Sequence, residues 1–314
     1  MGLNEKARRI CDQSAEQAKE LRIEVIQSPE GARLLDFGVK AQGSIEAGLE
    51  LAKICMGGMG VAELVPSHLQ GWDGPAIQVR TNHPVAACLA SQYAGWKIQG
   101  TKFFAMGSGP MRACYAKEEI FNTVGGKETP GFAVGVLETG TLPGAEVIAQ
   151  LGEKLQLAPE KITLCLAATS SVAGAVQIAA RSVETALHKL HELGFPVHTI
   201  QEGTGWAPLP PPTPDFIQAI GRTNDAILFG GLVHLWVNCE DDLIGQIGSK
   251  APSNQSGDYG APFGEVFSRA GGDFYKIDPL LFSPARVVFN NLKTGKVFAF
   301  GELNPQLLRK SWPW

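Results

Sequence analysis

The run KITLCLAA at residues 161–168, followed by Thr169-Ser170-Ser171 and a helical pattern that stops at Gly194, restricts this chain more than any other segment. A short continuous apolar stretch closed by a turn reads as a strand covered on both faces, and the residues after it repeat at helical spacing. The apolar stripe holds Val172, Val176, Ala179, Val183, Ala186, Leu187 and Leu190, while Gln177, Arg181, Glu184, His188 and His191 lie opposite. The spacing predicts one long helix over 171–193, ended by glycine. A buried strand feeding such a helix is the signature of an α/β fold.

The remaining segments agree with mixed α/β architecture. Residues 4–20 read as a helix, and LRIEVIQSPEGARLLDFGV as two strands joined by a Ser-Pro-Glu-Gly turn. Ser44 opens a helix that stops at Gly57-Gly58, and further helices are expected over 84–93, 144–155 and 214–237. VHTIQEG resembles a strand before the proline-rich loop WAPLPPPTPD, residues 252–264 form a long polar loop, and ARVVFNNLKTGKVFAFGEL closes the chain as a hairpin. Helices and strands alternate irregularly, which disfavours a Rossmann or barrel arrangement. The expectation is one continuous unit over 1–314 built of two α/β lobes with interleaved segments, the lobes changing near residue 140.

Several functional classes drop out on composition. With 27 Lys+Arg against 31 Asp+Glu, a net charge of -4, the chain lacks the basic footprint of a nucleic-acid or anionic-membrane binder. It also contains no apolar run of the roughly 18 residues that a membrane span requires. The 6 Cys include no C-x-x-C pair and sit in apolar segments, as reduced thiols of a cytoplasmic protein would. No P-loop, G-x-G-x-x-G, G-x-S-x-G or H-E-x-x-H string is present. His188 and His191 have the spacing of a metal pair, but they equally suit a solvated pair near a helix C-terminus.

Arg181 and Glu184 are the pair with the simplest chemistry. A carboxylate that takes a proton from water, steadied by a guanidinium one turn away, is sufficient for metal-free hydrolysis. The same spacing also describes a solvent-exposed ion pair worth well under ~1 kcal/mol. Other polar features are similarly two-sided. The loop at Met56, Gly57 and Gly58 is a helix stop or a place where backbone approaches a flat ligand. Arg222, Thr223, Asn224 and Asp225, embedded in an apolar helix, form either a self-satisfied network or a ligand-facing cluster.

Taken together, NEKA, EAGLELAKICMGGMG, TNHPVAACLASQYAGWKI, FAMGSGPMRA, ARSVETALHKLHELGF and GRTNDAILFGG resemble the methenyltetrahydromethanopterin cyclohydrolase family along essentially the whole chain. The resemblance implies a two-lobed cyclohydrolase-type fold with the substrate pocket between the lobes, and a homotrimer. It implies reversible hydrolysis of 5,10-methenyltetrahydromethanopterin to the 5-formyl form in the one-carbon metabolism of methanogens and methylotrophs, with neither metal nor other cofactor. The family's Arg-x-x-Glu matches Arg181 and Glu184, with the carboxylate as general base and the guanidinium as its orienter. The family-like strings also nominate Met56, Gly57, Gly58, Ser108, Gly109, Arg222, Thr223, Asn224 and Asp225 for pterin binding.

Overall fold

The structure is a computed structural model that describes residues 2–273, 276–312 and 314. In chain order its α-helices are α1 (Leu3–Glu16), α2 (Ala18–Leu21), α3 (Ile45–Cys55), α4 (Met111–Tyr115), α5 (Phe121–Val124), α6 (Ala145–Leu155), α7 (Val172–Ala179), α8 (Ser182–Glu192), α9 (Phe216–Gly230), α10 (Asp241–Leu243), α11 (Phe263–Arg269) and α12 (Pro305–Ser311). The strands are β1 (Glu24–Gln27), β2 (Arg33–Gly38), β3 (Val61–Pro66), β4 (Pro75–Thr81), β5 (Trp96–Gly100), β6 (Phe103–Ser108), β7 (Ala133–Glu138), β8 (Ile162–Ala167), β9 (Ile200–Pro208), β10 (Leu232–Val237), β11 (Arg286–Asn291) and β12 (Val297–Gly301). This is a mixed α/β fold with two mixed sheets, as expected. Among the described residues no helix is long and apolar enough to cross a membrane.

The first unit comprises Met1–Val61 and Ala86–Gln177. Its sheet runs β1-β2-β8-β7-β6-β5, with β2, β8 and β7 parallel at the centre and antiparallel pairs at the flanks. β8 is buried at every position, which is why its sequence is apolar without alternation. Alternate residues of β2 enter different cores: Leu35 and Phe37 pack with Cys11, Leu51 and Ile54 from α1 and α3, while Leu34 packs with Val147 and Leu151 from α6. The hairpin of β1 and β2 forms as expected, and Ser44 caps α3 by accepting from the Ala47 N–H at 3.0 Å.

The second unit comprises Ala62–Val85 and Ile178–Trp314. Its sheet runs β12-β11-β10-β9-β4-β3, with β10 and β11 parallel and β9 antiparallel to both β10 and β4. The closing hairpin, β11 with β12, is antiparallel. α9 packs with α11 and α12 around Trp206, Ile220, Phe229, Phe263, Leu308 and Trp312.

Several details differ from the sequence reading. The helix expected over 4–20 is α1 and α2, and the loop expected to begin at Trp206 starts only after β9 ends at Pro208. Residue 140 lies inside the first unit; the chain leaves that unit after Gln177 and lends Ala62–Val85 to the second. The helix expected over 171–193 is two helices, because the Arg181 N–H donates to the Ile178 carbonyl at 3.0 Å and interrupts the four-residue ladder. No Gly or Pro marks that break, and the apolar stripe keeps its phase through it. The helix expected over 214–237 ends at Gly230, where a side chain on Gly231 would meet the Ile227 carbonyl at 2.6 Å; β10 follows with alternating burial. Finally, Val85–Gln92 is a π-helix, with the Tyr93 N–H reaching the Cys88 carbonyl at 2.8 Å, a distinction that apolar spacing does not encode.

Candidate active site

Breaking the long helix gives Arg181 and Glu184 distinct places. Arg181 occupies the N-cap of α8 with φ -90° and ψ 6°, and its carbonyl accepts from the Thr185 N–H at 2.9 Å. Glu184 falls in the first turn, where the helix dipole favours a carboxylate. Nη1 of Arg181 lies 3.7 Å from Oε2 of Glu184, and the two side chains are only 7% and 5% exposed. The solvent-exposed reading of this face is therefore overturned. Away from water each charge stabilises the other, since the pair is almost fully enclosed.

The seat for this turn is made by two glycines of β9. A Cβ on Gly203 would lie 2.9 Å from Cγ1 of Val183, and one on Gly205 would lie 2.3 Å from Oγ of Ser182. Real side chains do not approach that closely, so α8 rests on bare backbone. Further along α8, Lys189 is fully buried and donates to the carbonyls of Pro252, at 3.0 Å, and Leu280. Burial lowers its pKa to about 8, with Asp278 acting in the opposite sense. The sequence reading missed Lys189 and the two glycines. GTG within an otherwise strand-like run was the one available signal, a mark of close backbone approach.

In the first unit, three separated strings meet. Cys55 Sγ lies 3.3 Å from Ser108 Oγ, Ser91 Oγ donates to the Cys55 carbonyl at 2.7 Å, and the Gly109 N–H donates to the Ser91 carbonyl at 2.8 Å. The end of α3, the end of the π-helix and the end of β6 are thereby fixed together, which places Met56 and Ser108 near one another. Gly57 and Gly58 have φ of +63° and +65°, and a Cβ on either would strike Leu3 or Lys6 of α1 at 2.5 or 2.8 Å. These glycines thus seat α1 as well as ending α3. The Thr169-Ser170-Ser171 turn contains a helix cap, Ser171 Oγ accepting from the Gly174 N–H at 3.0 Å.

Comparison with known proteins decides the family. The family described as Cyclohydrolase (MCH) matches residues 2–312. A methenyltetrahydromethanopterin cyclohydrolase of Methylobacillus flagellatus is 44% identical over 310 residues, covering 99% of this chain and 95% of its own. One from Xanthobacter autotrophicus is 47% identical over 296 residues, covering 94% and 88%. One from Methanosarcina mazei is 38% identical over 315 residues, covering 99% and 98%. The chain belongs to the methenyltetrahydromethanopterin cyclohydrolase family.

This cyclohydrolase places its other nominated residues on α9, largely engaged with their own backbone. Thr223 Oγ1 donates to the Ala219 and Ile220 carbonyls at 2.9 and 3.1 Å, and Asn224 Nδ2 donates to the Ile220 carbonyl at 2.9 Å. Asp225 Oδ1 accepts from the Phe263 N–H at 2.9 Å and so anchors α11. Burial pushes the Asp225 pKa up to about 7, with the Ser311 hydroxyl and the Phe263 N–H pulling the other way. Arg222 Nη1 donates to the Pro211 carbonyl at 3.1 Å, while its Nε is buried without an acceptor. His188 Nε2 lies 3.7 Å from Oε1 of Glu192. Among the described residues no three His, Cys, Asp or Glu side chains gather as a metal set.

Proposed function

We propose that this cyclohydrolase hydrolyses 5,10-methenyltetrahydromethanopterin reversibly to 5-formyltetrahydromethanopterin, with Glu184 as general base and Arg181 as its orienter. The relatives' names supply the substrate, and the buried Arg181–Glu184 pair at 3.7 Å supports the residue roles. The methenyl carbon belongs to an amidinium-type cation and is already electrophilic, so its chemistry needs a placed water and a base rather than a Lewis acid. No metal or other cofactor enters this reading.

As the water oxygen bonds to that carbon, Glu184 takes a water proton and leaves a neutral hydroxyl adduct. The carboxylate also offsets the positive charge of the bound cation. Returning the proton to the nitrogen at position 10 lets its bond to the former methenyl carbon break. Glu184, a carboxylate again once its proton has gone to nitrogen 10, then takes the hydroxyl proton as the formyl C=O forms on nitrogen 5, so each turnover ends with one surplus proton on Glu184. Arg181 favours the ionised carboxylate against desolvation and fixes its direction.

Met56, Gly57, Gly58, Ser108 and Gly109 are proposed pterin contacts on the strength of the family-like strings that carry them. Of the α9 residues, Arg222 retains guanidinium donors beyond the one given to Pro211, whereas Thr223, Asn224 and Asp225 are proposed to support the segment. The reading also includes a cytoplasmic homotrimer, which sedimentation of the purified protein tests. The decisive experiment follows the methenyl absorbance. Wild-type protein removes it, and Glu184→Gln folds normally but turns over at least about 100-fold more slowly; full activity in that variant excludes the assigned mechanism.

A further inference from the structure

Glu184, His188 and Glu192 lie at successive four-residue steps of α8 and form one line along the helix. Their side chains open progressively to solvent, from 5% for Glu184 through 16% for His188 to 45% for Glu192. Nε2 of His188 is 3.7 Å from Oε1 of Glu192, and Glu184 and His188, four residues apart, are neighbours on the same side of α8 with a rise of roughly 6 Å between them. Hydrolysis of a cationic methenyl group leaves a surplus proton on a carboxyl that is almost fully enclosed. That proton has to reach water before the next turnover.

We infer that His188 relays this proton from Glu184 toward Glu192 and bulk solvent. The inference rests on the function proposed above. The O–H bond of the Glu184 carboxyl breaks as an N–H bond forms on one imidazole nitrogen. The N–H on the other nitrogen then gives its proton to the Glu192 carboxylate or to water, and exchange with solvent resets the neutral ring. In the reverse direction the same line carries a proton inward. Imidazole suits the middle position because its unperturbed pKa, about 6.5, lets it gain and lose a proton near neutrality, and its two nitrogens separate uptake from release. Glu192 ends the line as a solvent-facing acceptor. As an ordinary half-exposed pair, His188 and Glu192 would contribute little to stability and would have no bearing on proton release.

The test is chemical rescue. Wild-type turnover of methenyltetrahydromethanopterin is measured in dilute buffer lacking imidazole, then with added imidazole, alongside His188→Gln and His188→Asn. The expected result is a kcat about tenfold lower in the variants at low buffer, with KM within about twofold and most of kcat restored by imidazole, while wild type is insensitive to it. Wild-type kcat in a folded variant at low buffer overturns the relay, as does a loss that no concentration of imidazole repairs. Absence of turnover by the wild-type protein instead rejects the underlying function, so the two failures are distinct.

Discussion

Gly205 lies directly beneath Ser182: a Cβ built on the glycine would stand 2.3 Å from the serine hydroxyl and 2.8 Å from Cγ2 of Val183. The turn that carries Glu184 is therefore held at a height that only a missing side chain permits. Gly205→Ala is expected to lift this turn, costing about 1–3 kcal/mol of stability and a larger share of kcat than of substrate affinity. Ser182→Ala combined with it should recover part of the stability loss, because one of the two clashes is removed. Chemical denaturation and steady-state kinetics on the single and double variants check both statements.

Arg181→Gln leaves the Glu184 carboxylate buried without the guanidinium beside it. Loss of that positive charge lets desolvation weigh more heavily on the carboxyl and favours its neutral form. The expected outcome is a kcat lower by about 100-fold and an acidic limb of the pH–rate profile moved to higher pH. Arg181→Lys keeps the charge but not the planar fork, and should fall between wild type and Arg181→Gln. A profile with an unmoved acidic limb would remove Arg181 from its assigned role.

Lys189 predicts a stability change in alkaline solution. Its folded pKa, about 8, is below the ordinary 10.5. Between those values the unfolded chain holds a proton that the folded protein does not, so this residue's contribution rises with pH across that window, by at most about 3 kcal/mol. Lys189→Met abolishes the rise. Unfolding free energies at pH 7 and pH 10 for both proteins, compared by difference, test it.

Asp225 predicts the opposite sense on the acidic side. Its folded pKa, about 7, is above the ordinary 3.8, so between those values the folded protein holds the extra proton. Its contribution to stability therefore falls as pH rises from 3.8 to 7 and is at its least above 7, with an amplitude of at most about 4 kcal/mol. Asp225→Asn keeps an acceptor for the Phe263 N–H without the charge. It should gain stability over wild type at pH 8, with the gain shrinking toward pH 4, as read by thermal unfolding.

Much of this architecture was legible because local chemistry and tertiary role coincide. The unbroken apolar run of β8, the Ser44 cap and the terminal hairpin each carry their own signal, and all three form as read. The break at Arg181 was not legible, since it arises from one backbone hydrogen bond to Ile178 and leaves the apolar phase unchanged. Burial of Arg181 and Glu184 was hidden for a related reason: periodicity reports which residues are polar, not what covers them. Lys189 was invisible because its partners, Pro252 and Leu280, are carbonyls distant in the chain, and any residue supplies a carbonyl. Family strings, rather than spacing, supplied the link from Arg181 and Glu184 to a reaction.

The exchange of Ala62–Val85 into the second unit bears on how the chain is made. β3 and β4 leave the ribosome well before β9, the strand that β4 pairs with from Ala76↔Pro208 to Thr81↔Gly203. At synthesis rates of about 5–20 residues per second, that early strand pair waits on the order of ten seconds with an open edge. β2 likewise waits for β8, its parallel neighbour. An amino-terminal half of this protein, released by premature termination or cut out for expression, would present both edges at once and should aggregate rather than fold.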